Sequence, residues 1–217
     1  MSQIAYTRID QLPETFPVFP LTSVVLFPGG ILPLNVFEPR YLNMVDDCMA
    51  GDGMIGMIQP TGGERHHPDL ADVGTLGRIA QYGETNDGRY LISLEGICRF
   101  AIAEELPFER PYREVRADWS GYSHDLTQAD ATGGVDRDEI LFELKRYLKR
   151  NDLKADWDTM EDVPEATLIN ALCTSCPFSP VEKQALLEAG TLKSRAETLI
   201  ALFHLSSTNN GDGSWQN

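Results

Sequence analysis

Between Phe16 and Arg40 the chain reads FPVFPLTSVVLFPGGILPLNVFEPR, and proline at this density in so apolar a stretch constrains the fold more than any other feature. Proline has no backbone donor and fixes its own φ, which argues against a long helix and against a central sheet strand. The apolar content is too high for an ordinary linker. The spacing predicts two short strands, Phe16–Leu21 and Ile31–Phe37, joined by a loop carrying Phe27-Pro28-Gly29-Gly30. A helix opened by Pro39 follows. The result is an irregular, edge-rich β-barrel wall with apolar residues on its connecting loop, suited to gripping rather than to catalysis.

Strand patterns continue to about residue 119. Met54–Gln59 is short and apolar, and Val73–Gly83 and Arg89–Ala103 alternate in period two around a turn at Asn86-Asp87-Gly88, a strong hairpin signal. Tyr112–Trp119 is more polar and reads as an edge strand. In the helix after Pro39, Tyr41, Leu42, Val45, Cys48 and Met49 form one apolar stripe opposite Asn43, Asp46 and Asp47, and Gly51 ends it. After Trp119 the composition changes. Asp136–Arg150 has acids first and bases last, matching the helix dipole. Pro164–Cys173 is a second helix, Ser179-Pro180-Val181-Glu182 is a capping box with Gly190 placed to end its helix, and Thr191 caps a last one. The expected organisation is a flexible leader 1–15, a β pseudo-barrel 16–119, a linker 120–135, a helical subdomain 136–205 and a disordered tail 206–217.

Thirty-three acidic against 18 basic residues give a net charge of −15. Such a surface repels phosphate, so nucleic-acid binding needs a basic patch against the trend. The best candidate, Arg110, Arg113 and Arg116, is interleaved with Glu109, Glu114 and Asp118. No run approaches the ~18 apolar residues of a membrane span, and the N-terminus lacks a signal-peptide pattern. Four cysteines in 217 residues do not make a disulfide scaffold. The expectation is a cytoplasmic protein with reduced thiols, no cofactor, no nucleic acid and no membrane partner.

The apparent catalytic motifs have simpler explanations. Gly51-Asp52-Gly53-Met54-Ile55-Gly56 spells G-x-G-x-x-G, but a helix precedes it and a strand follows, the reverse of a dinucleotide site. Ser123-His124-Asp125 are adjacent, whereas a triad converges from separate segments. Cys173-Thr174-Ser175-Cys176 follows a helix instead of opening one, and a zinc site would need two further ligands. Glu64-Arg65-His66-His67-Pro68-Asp69 reads as a solvated Gly-rich loop. Ser179 and Lys183 have dyad spacing, but the serine is better explained as a helix cap.

The opening stretch through Pro60 resembles the start of the N-terminal domain of Lon proteases: an apolar-Pro-Leu strand, a V-x-F-P-G loop, a second such strand, then a helix. Asp72-Val73-Gly74-Thr75-Leu76-Gly77-Arg78-Ile79 is similar to that family's E-x-G-T-x-A-x-I segment. Leu94-Glu95-Gly96-Ile97-Cys98-Arg99-Phe100 is similar to its V-x-G-x-x-R-F segment, and Glu182-Lys183-Gln184-Ala185-Leu186-Leu187 to its E-K-Q-x-L-L run. The resemblance runs from about Phe16 to about Leu205. It implies an α+β fold, a PUA-like pseudo-barrel with one inserted helix followed by a small helical bundle. It also implies a stand-alone substrate-recognition domain lacking the ATPase and peptidase domains, non-catalytic and independent of ATP. Its partners would be polypeptide segments or client proteins, with a protease or chaperone downstream. The residues expected to bind peptide are Phe27, Pro28, Leu32, Pro33, Phe37 and Tyr41. Two other readings stay open: a small hydrolase using Ser123, His124 or the CxxC, and a PUA-like RNA-binding module.

Overall fold

The computed structural model describes residues 6–64, 67–127, 134–157, 160 and 162–205. Its strands are β1 (Thr15–Pro20), β2 (Ile31–Val36), β3 (Met54–Ile58), β4 (Pro60–Glu64), β5 (His67–Leu70), β6 (Val73–Glu84), β7 (Tyr90–Glu105) and β8 (Arg113–Asp118). The helices are α1 (Pro39–Ala50), α2 (Arg137–Arg150), α3 (Glu165–Ser175), α4 (Pro180–Glu188) and α5 (Leu192–Leu205). The architecture is α+β, and the barrel comes first.

β7, β6, β3, β1 and β8 pair in that order, and β8 returns to pair with β7, so five strands close on themselves. β1 and β3 are parallel, and the crossover between them contains β2 and α1. Register shifts at Leu76/Gly77, Ile79/Gln81 and Ile102/Glu104 supply curvature that a flat sheet lacks. β3 is buried at every position because both its faces are covered, Met54 and Ile58 by one core and Ile55 and Met57 by another. These two cores lie on opposite faces of the wall, one holding Phe16, Leu76, Phe100 and Trp119 and the other Phe19, Val36, Leu94 and, from α1, Met44.

Four expectations are corrected. β8 is no edge, because it pairs with both β1 and β7. β1 lies between two strands despite Pro17 and Pro20, because its pairings are staggered: Thr15–Val18 meet β8, and Val18–Pro20 meet β3. Only Val18 has a partner on both sides, so neither proline has to serve two ladders. The Gly-rich segment after Pro60 is a paired β4–β5 hairpin; Arg65 and His66 lie outside the described residues. Residues 6–14 are no loose leader, since Ile9–Gln11 form a 3-10 turn, Leu12 is buried, and Tyr6 and Ile9 pack beside Phe16 and Trp119.

The linker is likewise partly built into the fold. Ser123–Leu126 form a 3-10 turn whose Leu126 is buried and whose Asp125 binds Arg99. Residues 128–133 and the tail 206–217 lie outside the described residues. In α1 the buried face is Tyr41, Met44, Val45 and Cys48; Met49, expected inside, is exposed, because Met44 completes the inward stripe instead. The capping box at Ser179 forms as expected, with Glu182 returning the bond.

The helical core contains two residues from far upstream. Val25 and Phe27 sit among Ile140, Leu144, Leu172, Leu199 and Phe203, and Phe27 is 1% exposed. The Arg195 guanidinium lies 4.7 Å over the Phe27 ring. A type II-like turn starts at this residue: Gly30 N–H donates to the Phe27 carbonyl at 2.9 Å, Pro28 takes the second position and Gly29 has φ +75°. Gly96 on β7 passes directly beneath, and a Cβ there would lie 2.2 Å from the Phe27 carbonyl oxygen. The glycine thus allows the loop to lie flat on β7, tied by Gly29 N–H to Gly96 O at 2.8 Å and Gly96 N–H to Gly30 O at 2.9 Å. Phe27, expected on an exposed gripping loop, is instead an anchor between barrel and helices.

Two buried arginines complete the junction at the C-terminal end of α4. Helix ends leave carbonyls without intrahelical donors. Arg99 from β7 donates to the carbonyls of Leu187 and Ala189, at 2.9 and 2.6 Å, and Arg195 from α5 donates to Leu186 at 3.1 Å. Arg99 also forms a bidentate pair with Asp125, at 2.9 and 2.8 Å. Gln59 at the end of β3 adds bonds to the Pro180 carbonyl and to Gln184.

Phe27→Ala is expected to cost roughly 3–5 kcal/mol of unfolding free energy, the usual range for emptying an aromatic core site. Urea denaturation followed by circular dichroism measures it, and Phe27→Asp is expected to fail to fold. A second prediction concerns acid. Burial works to raise the Glu143 carboxyl, but hydrogen bonds from Arg146 and His204 outweigh it and hold the group below its ordinary 4.5. A lowered folded value stabilises above the unfolded value and loses that contribution as pH falls through the folded one. Glu143→Gln is therefore expected to flatten the decline in melting temperature below pH 4.5, measured by thermal scans from pH 7 to 3.

Candidate functional site

β2 stands outside the closed circuit and, among the described residues, pairs only with the first half of β7. Its residues alternate between core and outer face, with Leu32 and Leu34 half-buried and Ile31, Pro33, Asn35 and Phe37 outward. Ile31 is 60% and Phe37 64% exposed. The register places Glu95 opposite Ile31, Ser93 opposite Pro33 and Leu91 opposite Asn35. Leu91 is half exposed, and its neighbour on β6 is Gly83, which has no side chain to cover it. An outward row of Ile31, Pro33, Phe37 and Leu91 results.

This face carries little unbalanced charge. Arg78 and Glu95 pair at 2.9 Å beside Ile31, and Ser93 faces Gln81. Ile31–Phe37 contains no ionisable residue in a chain of net charge −15. Desolvating the row therefore costs little, since exposed apolar area is favourably covered and no ion must be stripped of water.

At Ile31 the face opens into a cleft of about 1100 Å³ between the 24–31 loop, β7, α3 and α5. Pro28, Gly30, Ile97 and the α3 residues Ala166, Asn170 and Ala171 line it. Asn170 Nδ2 lies 3.4 Å from the Pro28 carbonyl, so the loop and α3 are bridged across the cleft. Arg99, His124 and Asp125 form part of the floor.

The expected binding residues fall into two groups. Pro33 and Phe37 are exposed on the outer face, Pro28 is half-buried in the adjoining loop, and Leu32 is half-buried on the inward side, against the core that holds Val36 and Tyr41. Phe27 and Tyr41 are buried in different cores, Phe27 with the helices and Tyr41 against the Phe19 ring at 4.2 Å. Neither is a free contact surface. Ile31 and Leu91 lie outside the expected set, although strict alternation in ILPLNVF and YLISLEG marks both positions as facing out.

The arginines of the suggested basic patch are all ion-paired: Arg110 with Asp47, Arg113 with Glu105, and Arg116 with Glu14 and Glu104. Both Asp125 carboxylate oxygens bind Arg99, and His124 Nε2 faces the Arg99 guanidinium at 3.1 Å. Cys173 and Cys176 are buried, and burial pushes their thiols up to about 12 and about 11, away from the reactive thiolate. Gly51–Gly53 form the turn between α1 and β3.

Comparison with known proteins agrees with this architecture. Residues 15–204 match the family model described as the ATP-dependent protease La (LON) substrate-binding domain. Lon protease 2 of Myxococcus xanthus is 27% identical over 210 residues, covering 90% of this chain and 24% of that protein. Lon protease of Flavobacterium johnsoniae is 29% identical over 196 residues, 88% of this chain and 24% of its own length. The chain thus spans about a quarter of the length of these curated relatives. Among solved structures, a Lon N-terminal domain protein from Xanthomonas campestris superposes with a TM-score of 0.62 at 26% identity, covering 86% of this chain and 97% of its own. The N-terminal domain of Mycobacterium avium complex Lon protease shares the fold at a TM-score of 0.59 and 17% identity, covering 88% and 98%. No helix among the described residues is long and apolar enough to cross a membrane. With a family match over residues 15–204 and the same barrel-plus-helix architecture, the chain belongs to the Lon substrate-binding domain family.

Proposed function

We propose that this protein binds exposed apolar or unfolded polypeptide segments and does so without catalysis of its own. The observation that carries this reading is the uncharged, outward row Ile31, Pro33, Phe37 and Leu91, continuous at Ile31 with the cleft under α3. An extended segment laid along β2 covers the row and turns its next residues into the cleft. Pro28 edges this path, while Leu32, Phe27 and Tyr41 support it from within. The role is that of an adaptor in protein quality control in the cytoplasm, presenting clients to a protease or chaperone.

The alternatives fare worse on the same geometry. An RNA-binding surface needs available cations, and the three suggested arginines are neutralised by neighbouring carboxylates. A hydrolase needs a base aimed at its nucleophile, and the Asp125 carboxylate is taken up by Arg99.

The double variant Ile31→Asp, Phe37→Asp is expected to weaken binding of a reduced, carboxymethylated client protein by about tenfold or more, equivalent to about 1.4 kcal/mol. Both sites are exposed, so the circular dichroism spectrum and melting temperature should hardly move. Fluorescence anisotropy with labelled client provides the measurement. Unchanged affinity would remove this face from the site.

A further inference from the structure

The outer edge of β2 meets no other strand among the described residues, and one contact determines which of its groups point outward. Gly96 N–H donates to the Gly30 carbonyl, so Gly30, Leu32, Leu34 and Val36 fall at hydrogen-bonded positions of the antiparallel ladder to β7. Ile31, Pro33 and Asn35 fall at the alternate positions and turn their backbone groups to the free edge. The edge therefore offers carbonyl acceptors at all three residues but amide donors only at Ile31 and Asn35. Pro33 sacrifices no bond to β7, and its missing donor is felt only by whatever docks outside.

We propose that a client segment binds here as an added β-strand, and that Pro33 keeps a second copy of this chain off the same edge. The proposal rests on the polypeptide-binding reading above and specifies its occupant: an extended, uncharged, proline-free segment with apolar residues at alternate positions. Charge supports that choice, because β2 carries none while the chain as a whole is at −15. Hydrogen bonding supports it as well. A proline-free strand meets one missing donor, opposite Pro33. A second copy of β2 brings its own proline, so any self-pairing that includes both loses two donors. In the symmetric antiparallel register centred on Pro33, two carbonyls face each other with no N–H between them. Proline on an exposed edge is a known defence against edge-to-edge association, and strand addition to such an edge is an established mode of peptide capture.

The test uses a fluorescent nine-residue peptide of alternating valine and threonine, whose apolar side sets which face it presents. Two versions carry N-methyl groups on alternate sets of backbone nitrogens. Strand addition is expected to weaken binding of one version at least tenfold and to leave the other within about twofold of the parent peptide. Equal behaviour of the two versions, with capture of the carboxymethylated client intact, overturns strand addition and leaves the broader reading standing. Failure of the wild-type protein to capture that client overturns both. In the second arm, Pro33→Val restores the missing donor at an exposed site. Sedimentation velocity at micromolar concentration is expected to show a larger species than the wild type; unchanged sedimentation overturns the role given to Pro33.

Discussion

The passage of the 24–30 loop across β7 at Gly96 is the contact on which the rest of this molecule depends. One backbone segment does two jobs within a few residues. Its amides and carbonyls bond to β7 around Gly96, and its Phe27 ring fills the helical core beneath Arg195. The barrel cannot shift against the helices without withdrawing a fully buried aromatic ring. Because β2 begins where this loop ends, its start is held relative to both bodies, and with it the mouth of the cleft at Ile31.

Polar chemistry reinforces the same junction. The end of α4 would bury carbonyls that lack donors, a cost comparable to several lost hydrogen bonds. Arg99 and Arg195 reach it from a strand and from a helix, Arg99 bonding Asp125 and two carbonyls, Arg195 a carbonyl and Asn170. Guanidinium suits the task because its fork supplies several donors in a fixed plane and stays charged at any working pH. The acidic surface thus coexists with cations directed inward to structural duties.

β2 gains its functional potential from being surplus to the barrel. Five strands close without it, so its outer edge and outward side chains are not consumed by the fold. The family likeness identifies a substrate-binding domain; the geometry adds which surface of this chain is apolar, uncharged and accessible.

Much of this was legible from residue order alone. Period-two alternation located β6 and β7, the capping box located the start of α4, and the proline-rich apolar stretch marked the family. Alternation in ILPLNVF also separates the outward residues from the inward ones, because side-chain direction in a strand is a local property. What sequence alone left undecided was which apolar residues face another part of the chain. Phe27 and Phe37 are both phenylalanines beside prolines or charges near a turn, yet one lies under Arg195 and the other is exposed. The staggered pairing of β1, the inclusion of β8 in the closed circuit and the use of Asp125 as a buried partner belong to the same class. Each depends on a segment distant in sequence being brought alongside, and only the tertiary structure brings it there.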